Sequence, residues 1–298
     1  MTLLTYDSSP ISFTSLTVNH ENNAPVLCST FSPDGSTVFT AGTDKAVRMW
    51  KLGQQPLNNA PPPQIGSHQA PIKSIGFLSS SNLVVTGGWD NKLNFWDSRS
   101  PNPVGNLDLP DKCYSMDVRG NCMVVATANR HVLVYDVSGQ PREFLRKESP
   151  LKYQTRCVSV FPDMSGFAIG SIEGRVGIQY IDKAQEKNNF AFKCHRQDAV
   201  AFPVNDIAFH PIGTFATVGG DGVVSFWDKD NKQKLKGFSP ISKAIPCAKF
   251  NAAGNIFAYA GSYDWSKGHS FYTPRQPDGN QILLHYTTED EIKPKKKR

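Results

Sequence analysis

The chain has 298 residues, 39% of them hydrophobic and 19% charged, with a formal net charge of +6. This is an ordinary globular composition with enough apolar residues for a sizeable core, and no run of about 18 apolar residues that could form a membrane span. The N-terminal residues lack the basic and apolar regions of a secretory signal. The six scattered cysteines include no C-x-x-C pair, which argues against a zinc or thioredoxin-like centre and for buried, reduced thiols.

Along the chain, residues 1–19 are polar, and the run from Ile11 to Val18 can supply one strand or two. A repeat begins near residue 20. Its first strong copy is Phe39-Thr40-Ala41-Gly42-Thr43-Asp44, ending at Trp50. The second is Val85-Thr86-Gly87-Gly88-Trp89-Asp90, ending at Trp96. The third is Ala216-Thr217-Val218-Gly219-Gly220-Asp221, ending at Trp227. Weaker copies lead from Val124 to Tyr135, from Phe167 to Tyr180, and from Ile256 through an insertion to Phe271 and Tyr272. The aromatic anchors Trp50, Trp96, Tyr135, Tyr180, Trp227 and Tyr272 recur every 39 to 47 residues. Short apolar runs separated by turns such as Pro33-Asp34-Gly35, with no sustained helical period, predict an all-β chain. The period is that of the WD repeat, with four strands per blade of a β-propeller.

The recurring polar residues have a structural job. In a WD repeat a His, a Thr, an Asp and a Trp form one buried network, in which every polar group needs a partner. The predicted sets are His20-Thr40-Asp44-Trp50 and His68-Thr86-Asp90-Trp96. A third, looser set is Thr217-Asp221-Trp227, with His195 as its candidate fourth member. A His/Asp pair present once per repeat reads as glue rather than as an active site. No G-x-S-x-G elbow, P-loop, dinucleotide fingerprint or H-E-x-x-H is present. The expectation is a non-enzymatic protein with no cofactor, no metal and no small-molecule substrate.

The segments between the repeats are more specific than the repeat itself. They include Ser100-Pro101-Asn102-Pro103, Lys152-Tyr153-Gln154-Thr155-Arg156-Cys157, Ile172-Glu173-Gly174-Arg175-Val176, Trp227-Asp228-Lys229-Asp230 and Asp264-Trp265-Ser266-Lys267-Gly268. Together they resemble the RNA-export WD-repeat proteins of the nuclear pore, over about residues 20–298. The Lys-Tyr-Gln-Thr-Arg-Cys and Ile-Glu-Gly-Arg-Val runs are also shared with a sister family, the WD-repeat protein of the spindle checkpoint.

The resemblance implies a seven-bladed propeller, of which six repeats are identifiable here. Residues 1–19 then read as the remnant of an incomplete first blade, 20–286 as the propeller, and 287–298 as a basic tail suited to nuclear import or RNA phosphate. It also implies a partner, the acid-rich GLEBS segment of an FG-repeat nucleoporin, with checkpoint proteins carrying such segments as the alternative. Arg175 matches the family's principal partner-binding arginine, whose planar fork suits a carboxylate. Phe192, Trp227, Asp228, Lys229, Lys232 and Lys234 match an aromatic pocket with a basic rim, suited to a stacked base or an apolar side chain flanked by acids. RNA contact through this basic surface is expected to be weak, salt-sensitive and dependent on the nucleoporin. The implied location is the nucleus and its pores, with shuttling to the cytoplasm.

Overall fold

The computed structural model describes residues 2–8, 11–17, 20–21, 24–53, 63–100, 102–272 and 279–294; side chains are described from residue 20 onward. The chain divides into two compact units, 1–113 and 114–298.

In the first unit, β1 (Thr2–Ser8) and β2 (Ile11–Thr17) pair as an antiparallel hairpin. The first blade is β3 (Val26–Phe31), β4 (Thr37–Gly42), β5 (Ala46–Lys51) and β6 (Gln64–Ser67). The second is β7 (Ile72–Leu78), β8 (Leu83–Gly88), β9 (Lys92–Trp96) and β10 (Pro103–Asp108).

The second unit carries four blades. The first of these is β11 (Cys113–Arg119), β12 (Cys122–Thr127), β13 (His131–Asp136) and β14 (Arg142–Glu148). The fourth blade of the chain is β15 (Thr155–Val160), β16 (Gly166–Ser171), β17 (Arg175–Tyr180) and β18 (Phe190–Lys193). A two-residue ladder of β19 (Arg196–Gln197) and β20 (Val200–Ala201) precedes the fifth: β21 (Val204–Phe209), β22 (Phe215–Gly219), β23 (Val224–Asp228) and β24 (Gln233–Gly237). The sixth has three strands, β25 (Ala248–Phe250), β26 (Ile256–Gly261) and β27 (Gln281–Tyr286). The fold is therefore the expected all-β WD-repeat propeller pattern, with six blades among the described residues. No described helix is long and apolar enough to cross a membrane.

The second strands of the first five blades are buried on both faces, which is why β4, β8, β12 and β16 are mostly apolar residues and glycine, broken by single hydroxyl residues such as Thr40 and Thr86. The outermost strands alternate, as β14 does in Arg-Glu-Phe-Leu-Arg-Lys-Glu. Within the second unit, successive blades are also pegged by acids on their first strands. Asp117 on β11 accepts from the backbone N–H of Val160 at 2.7 Å, and Asp206 on β21 accepts from that of Ala248 at 3.1 Å.

The polar networks have the predicted members. Trp50 Nε1 donates to Thr40 Oγ1 at 2.8 Å. His20 bridges Thr40 at 2.7 Å and Asp44 at 2.9 Å. In the second blade Trp96 Nε1 donates to Thr86 at 2.7 Å, and His68 bridges Thr86 at 2.7 Å and Asp90 at 3.0 Å. His195 completes the third set, at 2.9 Å from Thr217 and 2.8 Å from Asp221, with Trp227 Nε1 donating to Thr217 at 2.9 Å. In the second set the indole donates to the Thr86 hydroxyl, which pairs with His68 Nε2 and lies 3.4 Å from the Asn94 carbonyl, and His68 Nδ1 pairs with Asp90.

One repeat anchor moves. Val38, Val84 and Phe215 stand opposite Trp50, Trp96 and Trp227, and the equivalent Ile256 stands opposite Tyr286. Tyr272 lies in an insertion between β26 and β27, just after a 3-10 turn at His269–Phe271. The segment 287–298 begins with a short acidic helix, α1 (Glu289–Ile292), whose Ile292 is buried in the cluster formed by Phe226, Leu235, Ile245 and Phe257. Residues 295–298 of the basic run lie outside the described residues.

Burial pushes His68 below its ordinary value of 6.5, against the pull of its bond to Asp90, and burial lowers His210 as well. As pH falls through about 6.5 the unfolded chain protonates both histidines while the folded chain still resists. The unfolded state then binds more protons, so stability is full above this point and is lost below it. Thermal melts should show a flat midpoint above about pH 7 and a falling one toward about pH 5. A midpoint that holds constant or rises over that range contradicts the assignment.

Candidate partner-binding site

Three different local structures place the predicted partner residues, all in the second unit. Arg175 opens β17 directly after the turn Ile172-Glu173-Gly174. Gly174 has φ +64°, and a Cβ there would lie 2.6 Å from the carbonyl oxygen of Cys194, so the turn tolerates only glycine. Arg175 is cross-strand from Lys193. Its guanidinium is about a third exposed and contacts Glu173 at 3.6 Å, Nε to Oε2, beyond good hydrogen-bond range. Glu173 Oε1 is buried without a hydrogen bond, and Arg196 donates to the Glu173 backbone carbonyl at 2.7 Å. Three cationic side chains, Arg175, Lys193 and Arg196, thus gather around one turn whose carboxylate is mostly covered.

The aromatic pocket is a separate feature on the neighbouring edge. Phe190 and Phe192 alternate along β18 and so point the same way. Phe192 packs on Trp227 with ring centroids 4.6 Å apart, and on Phe215 at 6.4 Å. With Lys193, Asp228, Lys229, Lys232 and Gln233 they line a cavity of about 180 Å³. That is room for one flat ring or one long side chain, well below the roughly 300 Å³ of a drug-sized pocket. Lys232 Nζ lies 4.8 Å from the Phe190 ring centre, and Lys234 Nζ lies 5.6 Å from that of Trp227.

Trp227 serves both the repeat and the pocket. Trp96 is 1% exposed and Trp50 7%, whereas Trp227 is half-buried. Its indole N–H faces inward to Thr217, and part of its ring faces the cavity. Asp228 and Lys229 have local duties. Asp228 is 2% exposed and accepts from the backbone N–H groups of Asp230 and Asn231 and from the Asn231 amide, closing the turn. Lys229 is 7% exposed, pairs with Asp230 at 2.7 Å and lies over Phe161. The cations that rim the cavity from outside are Lys193, Lys232 and Lys234. Arg175 does not line it.

Phe190 and Lys193 escaped the sequence reading. The alternation Phe190-Ala191-Phe192-Lys193 was the available signal, since a strand that puts Phe192 into a pocket puts Phe190 beside it. Elsewhere in the unit the buried thiols are chemically quiet, whereas Cys247 is exposed. Burial pushes Cys122 up to about 11 and raises Cys157 and Cys194 as well. No cluster of His, Cys, Asp or Glu that could hold a metal occurs among the described residues.

Blades of this pattern, tied by His-Thr-Asp-Trp networks, define a WD-repeat β-propeller protein. The family model described as "WD domain, G-beta repeat" matches residues 13–51, 61–97 and 187–228. The chain is 45% identical to Protein Rae1 of Drosophila melanogaster over 91% of its own length and 80% of the relative's. It is 48% identical to the mRNA export factor of Xenopus tropicalis, over 93% and 77% of the two chains. It is 41% identical to the Poly(A)+ RNA export protein of Schizosaccharomyces pombe, over 94% and 80%. The chain belongs to this Rae1/mRNA export factor family.

Proposed function

We propose that this chain is a non-enzymatic docking protein of nuclear mRNA export, which captures the acid-rich GLEBS segment of an FG-repeat nucleoporin and contacts RNA through a basic surface. The names of these relatives support the export role. The observation that carries the docking site is Arg175, a partly exposed fork set at a glycine turn, whose ion pair with Glu173 at 3.6 Å is too long for a good hydrogen bond. A glutamate-rich peptide supplies the carboxylates that such a fork lacks, and Lys193 and Arg196 extend the field around it. Its place of action is the nuclear envelope at the pore, with passage to the cytoplasm.

Titration of the purified chain with a pore-type GLEBS peptide, beside a checkpoint-type one, tests the reading. Tighter binding of the pore-type peptide supports it. Preference for the checkpoint-type peptide moves the protein to the sister function.

The pocket rim makes a second expectation. Lys232→Glu and Lys234→Glu should each weaken binding of single-stranded RNA uniformly across sequences. Each should also reduce the slope of log affinity against log salt by about 1, the signature of a lost phosphate contact. Unchanged slopes in both variants would remove this rim from the RNA surface.

A further inference from the structure

The turn between the second and third strands of a blade is short: three residues separate β4 from β5, and four separate β22 from β23. In the sixth blade the same turn runs from 262 to 280, between β26 and β27. Insertions of that length inside a compact domain are uncommon and usually carry function. This one holds an exposed aromatic group. Trp265 is 52% exposed and Tyr272 43%, with ring centroids 5.0 Å apart and planes within 22°. Tyr263 packs against both, at 5.7 Å from Trp265 and 6.3 Å from Tyr272.

The backbone beneath these rings is anchored, although the rings lie in the open. Asp264 is buried. Its carboxylate accepts from Asn205 Nδ2 at 3.0 Å and from the Ser266 N–H at 3.1 Å, and its carbonyl accepts from Arg156 Nη2 at 3.1 Å. Arg156 also donates to Asn205 Oδ1 at 3.2 Å, and Tyr263 Oη to the Gly268 carbonyl at 2.8 Å. Trp265 itself is held at φ +61°, the left-handed region that a bulky side chain avoids. A large indole kept in an unfavourable conformation, half in water, on a foundation of satisfied buried polar groups, is the arrangement of a recognition element.

Charge identifies the ligand. Between Ser262 and Tyr272 the single acid, Asp264, is turned inward, while Lys267 and His269 are exposed. Lys267 Nζ stands 5.7 Å from the ring centre of Phe271, the residue before Tyr272. Near-parallel rings beside an exposed lysine suit flat bases joined by phosphates. We propose that the Trp265–Tyr272 platform stacks the bases of single-stranded RNA. This rests on the RNA-contact reading above and assigns that contact a second set of residues, distinct from the Trp227 pocket.

The test is fluorescence anisotropy of a short 5′-labelled oligoadenylate with the full chain, alongside titration with the acid-rich peptide. Trp265→Ala should weaken RNA binding roughly five- to a hundred-fold, the loss expected for one stacked base, with an unchanged melting midpoint and unchanged peptide affinity. Trp265→Phe should retain most of the affinity. If Trp265→Ala binds RNA within about twofold of the parent while Lys232→Glu still weakens it, the platform is overturned and the basic-surface reading stands. If Trp265→Ala loses the peptide and keeps the RNA, the platform belongs to the protein partner and the proposal falls. A parent chain that binds no oligoadenylate at low salt, even with the acid-rich peptide bound, overturns both readings together.

Discussion

Replacing Arg175 by Glu should remove capture of the acid-rich peptide while the chain still folds. The substitution deletes the donors that the partner's carboxylate needs and puts a like charge in their place. Truncating one member of a buried, hydrogen-bonded charge pair at an interface costs about 2–5 kcal/mol, much of it the orphaned partner charge. That range corresponds to roughly thirty- to several-thousand-fold in dissociation constant, and charge reversal belongs at its upper end. Arg175→Lys should fall between, because an ammonium keeps the charge and loses the planar fork. Isothermal titration of the three chains gives the ranking. Circular dichroism and a thermal melt establish that the variants are folded, which matters because the new carboxylate would sit beside Glu173 with its buried, unbonded oxygen. A folded Arg175→Glu chain that holds the peptide as tightly as the parent contradicts the docking site.

The second large effect concerns stability. Thr86→Val keeps the shape of a fully buried side chain and deletes one hydroxyl. That hydroxyl accepts from Trp96 Nε1 at 2.7 Å and pairs with His68 Nε2 at 2.7 Å. Trp96 is 1% exposed and His68 4%, so water cannot replace the lost partner. Two buried polar groups are orphaned at about 1–3 kcal/mol each, which places the loss at about 2–6 kcal/mol. Thr86→Ser retains both bonds and should lose far less. Urea denaturation of the two variants measures the difference, and equal midpoints would show that the network is idle. The same change at Thr217 should cost less, because Trp227 is only half-buried and its edge reaches solvent.

The sequence made the repeating parts of this molecule legible because each repeat solves the same problem with the same residues. A buried indole N–H needs an acceptor, and the acceptor needs a His and an Asp, so three copies of one polar set announce three blades. The sixth repeat was misplaced at Tyr272 because the insertion carries its own aromatics at close to the expected period. Only strand pairing, Ile256 opposite Tyr286, reveals where the third strand falls. Arg175, Phe192, Trp227 and Lys232 were readable through family resemblance rather than through any local pattern. The division of tasks within Trp227-Asp228-Lys229 was not readable, since composition does not tell a turn cap such as Asp228 from a rim charge. The left-handed backbone at Trp265 is a product of anchoring by Arg156 and Asn205, residues far away in the chain, and no short-range signal encodes it.

The polar ladders also explain where recognition could arise. In the first, second and fifth blades the turn after the second strand must keep its Asp for the histidine beneath, so its chemistry is committed. The third, fourth and sixth blades have no such ladder among the described residues. Glu173 stands where the aspartate would, bonded to no histidine, and the sixth turn has grown to hold Trp265. Those two turns are released from the histidine ladder, though each is anchored in another way, and they carry Arg175 and Trp265. A protein assembled from near-copies can thus specialise by exemption: the copies excused from holding themselves together are the ones available to meet another molecule.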